Sequence, residues 1–252
     1  MKEELERLIN KKGFHLGVLV LIVFLIIMFA GFVSLKYQVE GEKNTPFKIS
    51  KVLVISSAAG KDREEKKEEM RWNLDINQNN DIYVYIDKND KYEKIDSISE
   101  VIIKNLEVKK ENEKGEIKFY KPDITNNEII FSNNKELEER EFIYKGNEKT
   151  DMKNMEISNQ GGIVIFRCAN NYISEYLGND EEINHNLLLK KANVQEYDIK
   201  IKLEFNLIIK LSSGKNYETT ISLDLPSDNL VEEGTSSKEY NASEEFILKR
   251  CS

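Results

Sequence analysis

A run of 22 residues without Asp, Glu, Lys or Arg, Phe14 to Leu35 (FHLGVLVLIVFLIIMFAGFVSL), constrains this chain more than any other feature. A helix rises about 1.5 Å per residue, so the run spans roughly 33 Å against a bilayer hydrocarbon core of about 30 Å. Buried in a water-soluble domain, such a helix would need apolar partners on every side. The remaining sequence is too polar to supply them, because 33% of all residues are charged. The run therefore reads as a transmembrane helix, with residues 14–35 in contact with membrane lipid.

Cleavage and orientation follow from the flanks. A signal peptide is cut where small residues stand at the −3 and −1 positions. Met28-Phe29-Ala30 and Phe32-Val33-Ser34 each offer only one small residue, and no cysteine follows closely to accept a lipid. An uncleaved signal anchor is expected. Lys2, Arg7, Lys11 and Lys12 precede the run, and Lys36, Lys43 and Lys48 follow it. The positive-inside tendency then makes residues 1–13 a cytoplasmic segment and puts the rest outside. Gly41, Asn44 and Pro46 are poor helix residues, so the helix should stop near residue 40. Residues 36–46 read as a juxtamembrane linker, and residues 47–252 as one extracytoplasmic domain long enough for a sizeable core.

Apolar residues in that domain recur with a period of two, the signature of half-buried strands. The clearest case is a long hairpin. Ile199, Ile201, Leu203, Phe205, Leu207, Ile209 and Leu211 form seven alternate apolar positions, and Tyr217, Thr219, Ile221, Leu223 and Leu225 continue with the same parity. Ser212-Ser213-Gly214 between them suits a tight turn closed by a left-handed glycine, pairing Ile209 with Tyr217 and Phe205 with Ile221. A second hairpin is expected around Gln78-Asn79-Asn80. Trp72, Leu74 and Ile76 on one side share a face with Ile82, Val84 and Ile86 on the other if the loop is odd, which would pair Ile76 with Ile82. Further strands are expected at 47–56, 99–108, 116–120, 127–131, 140–145, 162–169 and 245–250, with a short helix at 181–192. SAAGKDREEKKEEM (57–70, with Ser57 first) reads as a charged surface excursion. The class is mainly β: an antiparallel sandwich or open barrel of about nine strands with one or two short helices.

The side chains offer little chemistry. Of the two histidines only His185 lies in the domain, with no Cys or His at ligand spacing, so no zinc site is expected. Asp75-Ile-Asn77-Gln-Asn79 imitates the start of a calcium loop, but Asn80 stands where glycine is required and Ile86 where glutamate is; a hairpin end explains it better. Gly161-Gly162 precedes an apolar strand instead of opening a helix, so it is not a phosphate loop. Leu225-Pro226-Ser227-Asp228 lacks the threonine and glycine of a sortase signal. Cys168 sits in an apolar strand-like run and Cys251 next to the end; both are expected as thiols. The first 13 residues carry four basic and three acidic side chains, and the whole chain is −8, which leaves −9 beyond the anchor. An acidic domain repels phosphate backbones, so no nucleic-acid partner is expected.

Lys11-Lys12-Gly13-Phe14 ahead of the apolar helix resembles the processing site of type IV prepilins. That resemblance implies a cut after Gly13, Phe14 as the new N-terminus, and a minor pilin-like subunit of an envelope assembly. Val18 stands where that family has glutamate, and Gly41 and Pro46 end the helix earlier than a pilin's. The reading preferred is a single-pass protein with an extracytoplasmic β domain that binds another envelope protein or cell-surface component. It has no catalytic, cofactor or metal residues to nominate and is not expected to be an enzyme. A cell-envelope enzyme with scattered active-site residues is the remaining alternative. Mass spectrometry of the mature chain separates the readings: the signal anchor keeps its first 13 residues, whereas prepilin-type processing yields a chain beginning at Phe14.

Overall fold

The computed structural model describes residues 12–39, 45–63, 70–92, 95–125, 128–131 and 141–251. The chain divides into two units, residues 1–41 and 42–252. The first is helix α1 (Lys12–Val39). Its Gly13–Ser34 portion is long and apolar enough to cross a membrane, and none of it is buried within the protein.

The second unit is mainly β, in two sheets. Along the chain come β1 (Phe47–Asp62), β2 (Trp72–Lys88), β3 (Ile98–Lys110), β4 (Glu116–Tyr120), β5 (Asp123–Thr125), β6 (Glu128–Ile130), β7 (Phe142–Asn147), β8 (Glu156–Ser158) and β9 (Gly162–Gly178). There follow α2 (Leu188–Lys191), α3 (Glu196–Ile199), β10 (Ile201–Leu211), β11 (Asn216–Leu225), α4 (Leu230–Glu233), β12 (Thr235–Tyr240), α5 (Ala242–Glu245) and β13 (Lys249–Arg250). One sheet has the order β12-β1-β2-β9-β4, the other β13-β11-β10-β3-β7-β8; β5 and β6 form a separate small hairpin. All pairings are antiparallel except β7 with β8. The main core lies between the sheets. Val54, Ile82, Val84 and Phe166 come from the first, and Ile103, Phe142, Phe205 and Ile221 from the second. Phe166 packs edge-on against Phe205 and tilted against Phe142, ring centroids 5.3 and 5.1 Å apart. Such aromatic pairs add to the burial that drives the sheets together.

β1, β2 and β9 run to 16, 17 and 17 residues and continue past the sandwich into a second core. There the inward residues Leu74, Ile76 and Tyr176 meet Leu188, Leu189, Val194, Ile199, Leu230 and Val231 from the short helices and loops. Gly60 belongs to this contact, since a Cβ there would lie 2.9 Å from Leu74 Cδ1 and 3.3 Å from Leu188 Cδ2.

The hairpin at 201–225 forms as expected: Ile209 pairs with Tyr217 and Phe205 with Ile221. Gly214 closes the turn at φ +82°. Ile199 departs from the expectation, because it ends α3 and packs in the second core.

The hairpin expected at Gln78-Asn80 does not exist. β2 runs unbroken through it; Ile76 pairs with Gly60 and Ile82 with Val54 on β1. The turn reading of Asp75-Asn79 falls with it. The reason is parity. A three-residue loop and no loop at all both keep Leu74, Ile76, Ile82 and Val84 on one face. In the unbroken strand Gln78 and Asn80 join that face, and both are buried.

Smaller departures have two causes: the second core for β1, β9 and 181–192, and packing of Ala242, Phe246 and Leu248 into the main core for 245–250. β1 extends through much of the expected excursion, to Asp62; residues 64–69 lie outside the described residues. β9 continues to Gly178. The helix expected at 181–192 is a 3-10 turn, His185–Leu187, leading into the four residues of α2. At 245–250 only Lys249–Arg250 is strand, preceded by α5. Thirteen strands and four short α-helices thus stand among the described residues of the domain, where about nine and one or two were expected.

Replacing Gly214 with valine forces a β-branched residue into left-handed backbone. The expected loss is roughly 1–2 kcal/mol, seen as a lower denaturation midpoint at unchanged m-value; alanine should cost less than valine.

Candidate functional site

The two faces of the long strands carry the domain's most specific polar groups. On the inward face, between the two cores, lies a polar belt. Ser56 pairs with Asn80 across β1–β2, Asn80 with Cys168 across β2–β9, and Gln78 with Asn170 one step further. Ser56 Oγ donates to Asn80 Oδ1 at 2.8 Å, and Asn80 Nδ2 donates to the Cys168 carbonyl at 3.1 Å. The Gln78 Nε2 group donates to the same Asn80 oxygen at 3.3 Å. Ser227, from the segment after β11, donates its backbone N–H to Ser56 Oγ at 2.9 Å and its hydroxyl to the Val54 carbonyl at 3.2 Å. Asn80 therefore joins three strands through one amide.

Beside the belt β9 bulges: its register with β2 jumps between Ile76–Ser174 and Gln78–Asn170. Asn77 Oδ1 accepts the N–H of Tyr172, which stands at φ +59°. Asp198, buried, accepts the Gln195 N–H at 3.0 Å and pairs with Lys114 at 2.8 Å, so it ties α3 to the β3–β4 turn. Burial alone would raise its carboxyl; the Lys114 ammonium and the Gln195 N–H outweigh that and hold it below the usual carboxylate range.

The outward face of the five-stranded sheet is the candidate contact surface. Its residues align in rows: Leu53, Tyr83 and Ile165; Lys51, Tyr85 and Ile163; Ile55, Asp81, Arg167 and Tyr120. Leu53, Ile55, Tyr83, Tyr85 and Ile163 are half-buried. Arg167 makes a two-pronged bond to Asp81, 2.5 Å from Nε and 2.9 Å from Nη2, and its guanidinium lies 4.3 Å from the Phe131 ring centroid. The Lys51 ammonium stands 4.6 Å from the Tyr85 centroid and 3.2 Å from Glu239. Burial and then the adjacent Asp81 push the Tyr83 hydroxyl pKa up, so Tyr83 stays a neutral donor at physiological pH. Ile165 and Tyr120 are buried, so the accessible part is the half-buried aromatic and aliphatic patch around Tyr83 and Tyr85 beside the Asp81–Arg167 pair, which offers a partner both shape and charge placement.

A separate groove of about 490 Å³ lies at the β11–β13 edge, lined by Glu218, Thr220, Glu245, Ile247, Lys249 and Arg250 among others. Its charged lining is two glutamates, Glu218 and Glu245, and two cations, Lys249 and Arg250.

The sequence nominates no site residue. His185 is exposed at the start of its 3-10 turn. Cys168 is buried and Cys251 exposed, both thiols. Among the described residues no group of three or more His, Cys, Asp or Glu could hold a metal ion. Sequence reasoning did not find the belt or the Asp81–Arg167 pair. A signal for the outward face was present: Tyr83 and Tyr85 interrupt the polar positions of β2 with aromatic side chains. A scan against protein-family models, a search of curated proteins and a search of solved structures each found nothing that matches this chain.

Asp198 gives a pH test with a defined sign. Its folded pKa is depressed, so its contribution is present above the unfolded value of about 3.9 and is lost as pH falls through the folded one. Asp198→Asn should cost roughly 1 kcal/mol at neutral pH through the weakened bond to Gln195. The gap in melting temperature between wild type and variant should close as the pH falls through the acid range; a pH-independent gap would contradict the assignment.

Proposed function

We propose that this chain is a single-pass membrane protein whose β domain is an extracytoplasmic binding module, held to the cell membrane through residues 14–35. The observation that carries the reading is α1: a charge-free span from Gly13 to Ser34 with no part of it buried by the protein. Exposed in water, so much apolar surface would drive association; in lipid it is stable, with all its interior backbone groups bonded within the helix. Lys11 and Lys12 at one end favour a cytoplasmic N-terminus.

The partner is a protein or another component of the same envelope, recognised on the outward sheet face around Tyr83, Tyr85 and the Asp81–Arg167 pair. Aromatic side chains with few rotatable bonds lose little entropy when a partner covers them, and a preformed ion pair needs no reorganisation. The acidic domain speaks against nucleic acid, and the reading assigns no catalytic step to any residue.

Protease added to intact cells should remove the domain while leaving a membrane-embedded N-terminal fragment that resists carbonate extraction. A domain protected until the cells are opened would reverse the orientation. In the same cells, a photo-crosslinking residue at Tyr83 should give a discrete adduct, and one at Lys202, exposed on the other sheet, should not. Equal labelling from both positions would remove the outward face from consideration.

A further inference from the structure

The belt contains three amide atoms for which the described residues supply no hydrogen-bond partner: Gln78 Oε1, Asn170 Oδ1 and Asn170 Nδ2. Both side chains are completely buried. Gln78 and Asn170 are cross-strand neighbours on the inward face of β2 and β9, where Cβ atoms stand about 5 Å apart. The surrounding donors are already engaged. Gln78 Nε2 donates to Asn80, Asn80 Nδ2 to Cys168, and Ser227 Oγ to Val54. Gly115 closes the site from the β3–β4 turn, and a Cβ there would lie 2.2 Å from Asn170 Oδ1.

Buried amides left without any partner are rare, and an internal water is the usual complement. The atoms present define what can occupy the site. A cation would face the hydrogens of Asn170 Nδ2, and an anion would face two carbonyl oxygens. No ionised side chain belongs to the belt to balance either. A small neutral molecule that both donates and accepts is required.

We propose that Gln78 and Asn170 form an internal hydration site, in which ordered water accepts from Asn170 Nδ2 and donates to Gln78 Oε1 and Asn170 Oδ1. The two cores are thus joined through a hydrated seam, and the water completes the hydrogen bonding that Asn80 begins.

The test uses the full chain in detergent. Nuclear Overhauser transfer from water to the Asn170 side-chain amide protons, with the sign of a long-lived bound molecule, supports the site. So does a crystal structure with a spherical peak at hydrogen-bond distance from both Gln78 Oε1 and Asn170. The transfer should vanish in Asn170→Leu; should that variant not fold, the wild-type measurement decides alone. A direct bond between Asn170 Nδ2 and Gln78 Oε1 with no density between them, or amide protons that receive no transfer from water, overturns the proposal.

Discussion

Everything in the domain beyond the sandwich depends on the Asn80 amide. Three strands of this length would align as well in several registers if their inward residues were all aliphatic, because one branched side chain packs against a sheet much as another does. Asn80 removes that freedom. Its nitrogen needs the Cys168 carbonyl on β9, so a shift of β9 leaves a buried donor unpaired; its oxygen takes the Ser56 hydroxyl on β1 as well as the Gln78 amide of its own strand, so a shift of β1 loses one of its two bonds. Each such bond is worth only about 1 kcal/mol net when made, but the cost of leaving it unmade is larger. The belt therefore selects a register more than it adds stability, and the second core can form only when that register is reached.

The same strands serve two surfaces. Inward residues belong to one core, the belt, or the other core in turn. Outward residues alternate with them and carry the tyrosines and the Asp81–Arg167 pair. Asp81 lies between Asn80 and Ile82, so the outward ion pair is seated directly beside the inward clasp. The bonds of Asn80 to both neighbouring strands restrain the backbone beneath that face, which would suit the recognition surface proposed for it.

How much of this was legible from the residues differs along the chain. The hairpin at 201–225 was readable because its turn demands a glycine at positive φ and its alternation is unbroken. The β class and the apolar helix were readable for similar reasons, namely composition and period. Gln78, Asn79 and Asn80 were misread because a run of amides between two apolar alternations has the composition of a loop, and parity fits either case. Only the tertiary partners, Ser56 and Cys168 from distant parts of the chain, make the Asn80 amide acceptable inside. The helices at 188–191 and 196–199 were blurred for a related reason: at four residues each they carry no period, and their apolar residues answer to Leu74 and Ile76, far away in sequence. The outward pair Asp81 and Arg167 could not be found from spacing, since 86 residues separate them.

The unbroken course of β2 also governs how this protein can change length over time. One residue gained or lost between Ile76 and Ile82 would turn every side chain on one side of the change to the opposite face, emptying one core into solvent while the other stayed intact. A change of two residues would keep the facing of both cores and disturb only the amides. Natural drift in this segment should therefore proceed in steps of two or by substitution, and odd-length variants should be purged however conservative their residues.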